Sequence, residues 1–180
     1  MSDRAHRSFE KITHADLHRL SSLALADFED FFRRYHQWRA YRERLMLICL
    51  CQGAARHYVT PSCGVATDRE GGVNDFDVWG FFRHDPNDRP FPPRRHGLQD
   101  FGPSKFGRSV DDKPRFIGRR VDVWGRSIEK LPSENPIQAV QRYLRTHHSD
   151  SARLVAECPV VVLWPAERLG EIVTRKPRSN

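Results

Sequence analysis

Apolar and polar positions alternate with a clear change of period along the chain. Residues 1–12 are largely polar. From Thr13 onward apolar side chains recur at helical spacing, first Leu17, Leu20, Leu23 and Leu25, then Phe28, Phe31 and Phe32. That spacing stacks one face of an amphipathic helix against a core. Thr13 followed by Asp16 has the spacing of a capping box, in which each side chain accepts from the other residue's backbone N–H. Tyr35, Trp38 and Tyr41 carry aromatic contacts on toward Leu45, which predicts a helix or helix pair packed through an aromatic stripe.

Leu45 to Cys51 is a continuous apolar run. Its length, and the Gln52-Gly53-Ala54-Ala55 that follows, predict a buried strand entering a tight turn and a short helix. Residues 60–73, with Pro, Ser and Gly, read as a loop. Phe76 to Phe82 gives a second strand. Residues 84–114, rich in Pro, Asp, Arg and Gly, predict a long connection, and Phe116 to Val123 a third strand. Pro132-Ser133-Glu134-Asn135-Pro136 is a helix start before Ile137 to Leu144, and Ser151 caps another short helix. Val160 to Trp164 is a fourth strand halted by Pro165, Ala166 to Val173 a last short helix, and the tail from Thr174 is basic and frayed. No internal repeat is present. The expected architecture is α/β (α+β): a small mixed sheet flanked by helices, with residues 1–44 as a helical segment packed on a core of residues 45–180.

Composition changes this picture little. A chain of 180 residues with 38% hydrophobic and 29% charged residues suits a soluble globular protein. No apolar run is long enough to span a bilayer, and Met1 to Arg7 lacks the apolar core of a signal peptide, so a cytoplasmic protein without membrane contact is expected. The net charge of +7 comes mainly from Arg, which grips phosphate in a bidentate way. Polyanionic partners such as nucleotides or nucleic acid fit that balance, and so does an Arg-rich genome using Arg where others use Lys. Cys49, Cys51, Cys63 and Cys158 form no CxxC pair, which argues for free thiols and against a zinc finger or ribbon. Cys49 and Cys51 would share one side of a strand.

The candidate chemistry lies in Asn74-Asp75-Phe76-Asp77-Val78-Trp79 and in Arg120-Val121-Asp122-Val123-Trp124-Gly125. Successive side chains of a strand point to opposite faces, so Asp75 and Asp77 share one face and Phe76 takes the other. Carboxylates this close, set among apolar neighbours, repel one another unless a cation lies between them. The residues therefore favour a Mg2+ or Mn2+ site at Asp75, Asp77 and Asp122, against the plainer reading of a surface strand that alternates in charge. Arg119, Arg120 and Arg126 either hold phosphate or serve as ion-pair partners. Trp79 and Trp124 occupy matching positions and read as core. His57 reads as a packed or surface residue rather than a catalyst, and His147-His148 suit the C-terminal end of a helix.

The order of apolar run, glycine turn, short helix, Asp-x-Asp strand and a further strand with one Asp resembles the nucleotidyltransferase superfamily, the group with the DNA polymerase beta-like catalytic fold. Asp75-Phe76-Asp77-Val78 and Asp122 match its acidic elements, and the Gln-Gly-Ala-Ala and Asp-Phe-Asp-Val-Trp elements are similar to small bacterial members. The resemblance covers roughly residues 45–128. It implies transfer of a nucleoside monophosphate from a nucleoside triphosphate to an acceptor: tRNA, a protein hydroxyl or a small molecule, with toxin–antitoxin and defence roles known in the superfamily. It also implies that Asp75, Asp77 and Asp122 bind the metal, with Asp122 adding a ligand or general base. Gly53 and Ala54 would line the triphosphate pocket, with Arg120 and Arg126 beside it. The match departs at Ala54, where Ser or Gly is expected, and in a long gap from Gly53 to Asp75. A second frame through Ser62, Gly64 and Gly71-Gly72 has more usual spacing but no good strand before it. The rival classes are a metal-dependent nuclease, although no Lys stands two residues after Asp122, and a catalytically degenerate binding protein.

Overall fold

The structure is a computed structural model and describes residues 7–61, 71–146 and 149–174, apart from the side chain of Ser151. Cys63, Ser62, Gly64 and His147-His148 lie outside the described residues. Helix α1 spans His14–Arg34 and begins with the expected capping box: Thr13 Oγ1 accepts from the Asp16 N–H, and Asp16 accepts from the Thr13 N–H at 2.7 Å. The aromatic continuation is a 3₁₀ segment, His36–Arg44, rather than a second α-helix, and only Tyr41 of it is buried. Strand β1, Leu45–Cys51, follows directly, then helix α2, Gln52–Val59. Gln52 makes the turn with a φ of 56°.

Strands β2 (Phe76–Arg83), β3 (Arg94–Asp100), β4 (Arg120–Ile128), β5 (Val160–Trp164) and β6 (Ile172–Val173) complete the sheet, with helices α3 (Pro136–Thr146) and α4 (Asp150–Ala156) between β4 and β5. The order across the sheet is β3-β4-β2-β1-β5-β6. β2 and β4 are parallel and the other pairs antiparallel, so the sheet is mixed and the fold is α/β, as the sequence pattern predicts.

Period-two alternation divides the core between the two faces. On one face Phe76, Val78, Phe82, Val121 and Val123 pack with Leu17, Leu20, Phe28, Phe31 and Phe32 of α1. The N-terminal helix is thus built into the same apolar cluster as the sheet. On the other face Leu47, Cys49, Trp79, Phe81 and Ile128 pack with Ile137, Val140, Tyr143 and Leu144 of α3 and with α4.

Several expectations are corrected. The long connection of residues 84–114 contains β3, whose Arg94-Arg95-His96-Gly97-Leu98-Gln99-Asp100 has no apolar alternation. It is an edge strand whose one strand partner among the described residues is β4. The strand carrying Asp122 runs from Arg120 to Ile128, not from Phe116 to Val123; the buried Arg126 and the Ser127 after it interrupt its apolar pattern. Ser149, not Ser151, caps α4 by accepting from the Ala152 N–H. Ala166 to Val173 is not a helix: a 3₁₀ turn at Ala166–Arg168 leads through Gly170, at a φ of 82°, into β6, which pairs back on β5. Glycine suits that left-handed turn because it has no Cβ to clash.

Candidate active site

Strand register sets the carboxylates. In the parallel β2–β4 pair, Asp77 lies opposite Asp122 and Trp79 opposite Trp124. Asp75, one residue before β2, shares the face of Asp77. On the other side of β2, Cys51 of β1 lies opposite Asp77, so the start of α2 follows next to the same carboxylate. The three Asp residues therefore meet where β2 and β4 begin and β1 ends. Further along the same face, Trp79 and Trp124 stack at 5.6 Å between ring centroids and 10° between planes. These two rings join the apolar cluster under α3, and the carboxylates stay at its margin.

Charge in the cluster is only partly balanced. Arg120 binds two of the carboxylates: its Nε lies 3.0 Å from an Asp122 oxygen, and its guanidinium donates to Asp75. Arg95 of β3 donates to the other Asp122 oxygen at 3.0 Å. Asp77 has no ion pair among the described residues. Burial, helped by the charges of Asp75 and Asp122 and opposed by Arg120, pushes its carboxyl up to about 7. Taking a carboxylate out of water and placing it beside like charges both disfavour its ionised form.

Carboxylate oxygens are the donor type that a hard divalent cation takes. Mg2+ and Mn2+ prefer carboxylate oxygens, and the Asp77 site lacks positive charge. Among the described residues no group of three or more His, Cys, Asp or Glu side chains is arranged so as to hold a metal ion. Asp75 and Asp122 are engaged by guanidinium groups instead.

The remaining candidates fall in different places. Gly53 is the second residue of α2, and a Cβ built on it would meet nothing within 4 Å, so the backbone there is open to an approaching group. Ala54 is 3% exposed and its side chain belongs to the α1-side core; only its backbone can serve a ligand. Arg126 is buried away from the carboxylates, with its guanidinium 5.0 Å from the Trp79 ring centroid and donating to the Tyr143 hydroxyl. Its place is packing between the sheet and α3. Arg119 donates to the Asn74 carbonyl at 3.2 Å and the Phe106 carbonyl at 2.6 Å, which pins the turn before Asp75. His57 is buried, with Nε2 3.1 Å from the Glu10 carbonyl, so of the packed and surface readings the packed one holds. Cys49, Cys51 and Cys158 are free and buried, and burial pushes the Cys49 and Cys51 thiols well up, so neither supplies a thiolate.

Arg95 is the site residue that the sequence pattern misses. It falls in the segment read as a connection, and only the local density of Arg marks it. Comparison with protein-family models, with curated proteins and with solved structures finds no match to this chain.

Proposed function

We propose that the chain is a metal-dependent nucleotidyltransferase, which moves a nucleoside monophosphate from a nucleoside triphosphate to an acceptor hydroxyl. The observation that carries this reading is the Asp77–Asp122 register with Asp75 alongside, which leaves a partly buried carboxyl held near neutral pH beside two others. Asp75, Asp77 and Asp122 are the residues that would hold Mg2+ or Mn2+. A bound divalent ion supplies charge stabilisation for the phosphates and the departing pyrophosphate.

The chain's own groups have distinct tasks in this reading. Arg120, which neutralises Asp75 and Asp122 in their absence of another cation, is free to turn onto a triphosphate when the carboxylates are otherwise satisfied. The open backbone at Gly53, at the N-terminal end of α2, favours anionic oxygens through its free N–H groups. Asp122 would add a metal ligand or take the proton of the acceptor hydroxyl. Arg119 keeps Asp75 in position by fixing the backbone at Asn74.

The test is incubation with each α-labelled nucleoside triphosphate and Mg2+ or Mn2+. Label should appear on an acceptor and be lost with chelator. Asp77→Ala should lower transfer on the order of 10²–10³-fold, the usual scale for removing a preorganised electrostatic group. A second reading has its own observation: Arg120 and Arg95 already occupy the carboxylates, as in a site that has lost its metal and serves binding alone. Absence of transfer from all four triphosphates, with partner binding indifferent to metal and to Asp77→Ala, would favour it.

A further inference from the structure

We infer that the outer edge of β3 is a docking site for an acidic, extended segment of a partner protein, which adds to the sheet as a further strand. The site stands apart from the nucleotidyltransferase reading and does not depend on it.

β3 ends the sheet on one side, with β4 as its one strand partner among the described residues. In an antiparallel pair, half of a strand's N–H and C=O groups point away from the neighbour. Beyond the ladder to β4, residues 95–100 make no backbone–backbone hydrogen bond among the described residues. A row of unmet groups on a sheet edge is a template for another strand. This template is held stiffly. His96, at the register shift between Arg95 and Gly97, turns its ring into the core, 4.5 Å from the Phe31 centroid and 4.8 Å from that of Phe91. Gln99 donates to Asp27 of α1 at 2.6 Å. An edge already fixed in its paired shape has little ordering to lose on docking.

A groove of about 480 Å3 accompanies this edge. Residues 94 to 99 line it one after another. Successive side chains of a strand point to opposite faces, so a groove that touches them all follows the edge rather than one face. The C-terminal half of α1 forms the other wall, and most charges there are paired: Arg33 and Arg34 both bind Asp30, and Arg95 binds Asp122. Arg94 and Arg115 are exposed and have no carboxylate partner among the described residues. Against these two cations stands Asp27, partly buried and already accepting from Gln99. Arg94 lies 5.9 Å from the ring centroids of both Phe31 and Tyr35, which hold its guanidinium in place without neutralising it. A strand with Glu or Asp at alternate positions offers its backbone to the unmet edge and its carboxylates to these guanidinium groups.

Other occupants match fewer of these features. Two copies of β3 paired antiparallel about Gly97 would set Arg94 opposite Asp100. The Asp100 oxygens are already taken by the Gly102, Ile117 and Gly118 N–H groups, so the cations of both copies would meet without compensation. A nucleic acid would answer the cations but leave the backbone row unpaired.

The test is fluorescence anisotropy of a fluorescein-labelled decapeptide of alternating Glu and Val. It is run on the full chain in chelator without nucleotide, so that docking is read apart from catalysis. Wild-type protein should bind this peptide, more weakly as salt rises. A Lys-Val peptide of the same length should bind at least about tenfold more weakly, because like charges at an interface are costly. Arg94→Glu/Arg115→Glu should reverse that preference. Two further copies of the Glu-Val peptide, N-methylated at every Glu or at every Val, separate strand addition from charge attraction alone. Each loses the N–H groups of one edge of an extended strand, so one copy should lose binding and the other keep it. Thermal melting checks that the double variant is folded, and the peptide comparisons on the wild-type chain stand without it. No binding of the Glu-Val peptide, equal binding of the Glu-Val and Lys-Val peptides, or equal binding of the two methylated copies overturns the inference. A dimer in sedimentation that Arg94→Glu/Arg115→Glu disrupts would assign the edge to a second copy and overturn it too.

Discussion

The two faces of the sheet are made by the same strands and do opposite things. β2 and β4 turn Phe76, Val78, Phe82, Val121 and Val123 toward α1, where Phe28, Phe31 and Phe32 close a dry aromatic core. The alternate residues Asp75, Asp77 and Asp122 turn the other way and meet at the margin of the second cluster. The first face is held by contact: Phe28 and Phe82 lie 5.2 Å apart edge to face, and Phe82 and Phe91 lie 4.2 Å apart. The second is held at its acidic end by charge, with Arg120 and Arg95 set against Asp75 and Asp122, and Asp77 beside them disfavoured as an ion by its burial. A rigid aromatic layer behind the strands fixes the carboxylates in register while leaving them short of positive charge.

That contrast can be broken most strongly from the aromatic side. Phe28→Ala should destabilise the fold by about 3–5 kcal/mol, the usual cost of emptying a buried aromatic site, measured by denaturant unfolding. A loss below about 1 kcal/mol would mean that the face is looser than its ring contacts imply. Gly80 gives a subtler test on the same face. A Cβ there would lie 2.5 Å from Phe28 Cζ, so Gly80→Ala should cost about 1–3 kcal/mol by overpacking, although the change favours strand backbone entropy.

The acidic face should respond with the opposite sign. The Asp77 carboxyl sits at about 7 in the folded chain and at the ordinary 3.8 when unfolded. Between those values the folded state binds the extra proton, so stability falls as pH rises through the window, and the penalty is complete above the folded value. Asp77→Asn removes the titration. In the metal-free protein it should therefore raise stability at pH 8 by at least about 1 kcal/mol relative to wild type, and the gain should shrink toward pH 4. Thermal melts of both proteins across that range check it; an Asn variant that is less stable at pH 8 would show that Asp77 is already compensated.

Much of this contrast is legible in the sequence, because both faces rest on periodic signals. Leu17 to Phe32 gives the helix that covers one face, Thr13 and Asp16 give its cap, and Asp75-Phe76-Asp77 shows by parity which side chains leave the core. What escapes has no period. β3 is an edge strand of Arg, His, Gly and Gln whose identity comes from its partner, and Gly97 is there because Asp27 packs against it, where a Cβ would fall 1.3 Å from a carboxylate oxygen. Arg95 escapes with it, although it contacts Asp122. Arg126 looks equivalent to Arg120 in the sequence, but position along the strand separates them: one lies beside the carboxylates and the other under Tyr143. Ala54 follows the glycine of the turn, yet helical geometry aims its side chain into the core.

The central claim is that Asp75, Asp77 and Asp122 form one cation site and that Arg120 and Arg95 only balance its charge in the metal-free chain. A crystal structure grown with Mg2+ and a non-hydrolysable nucleoside triphosphate tests it most directly. The account expects metal density bound by Asp77 together with Asp75 or Asp122, with Arg120 withdrawn from Asp75 toward the triphosphate. Carboxylates still capped by Arg120 and Arg95, with no ion among them at saturating Mg2+ and triphosphate, would contradict it.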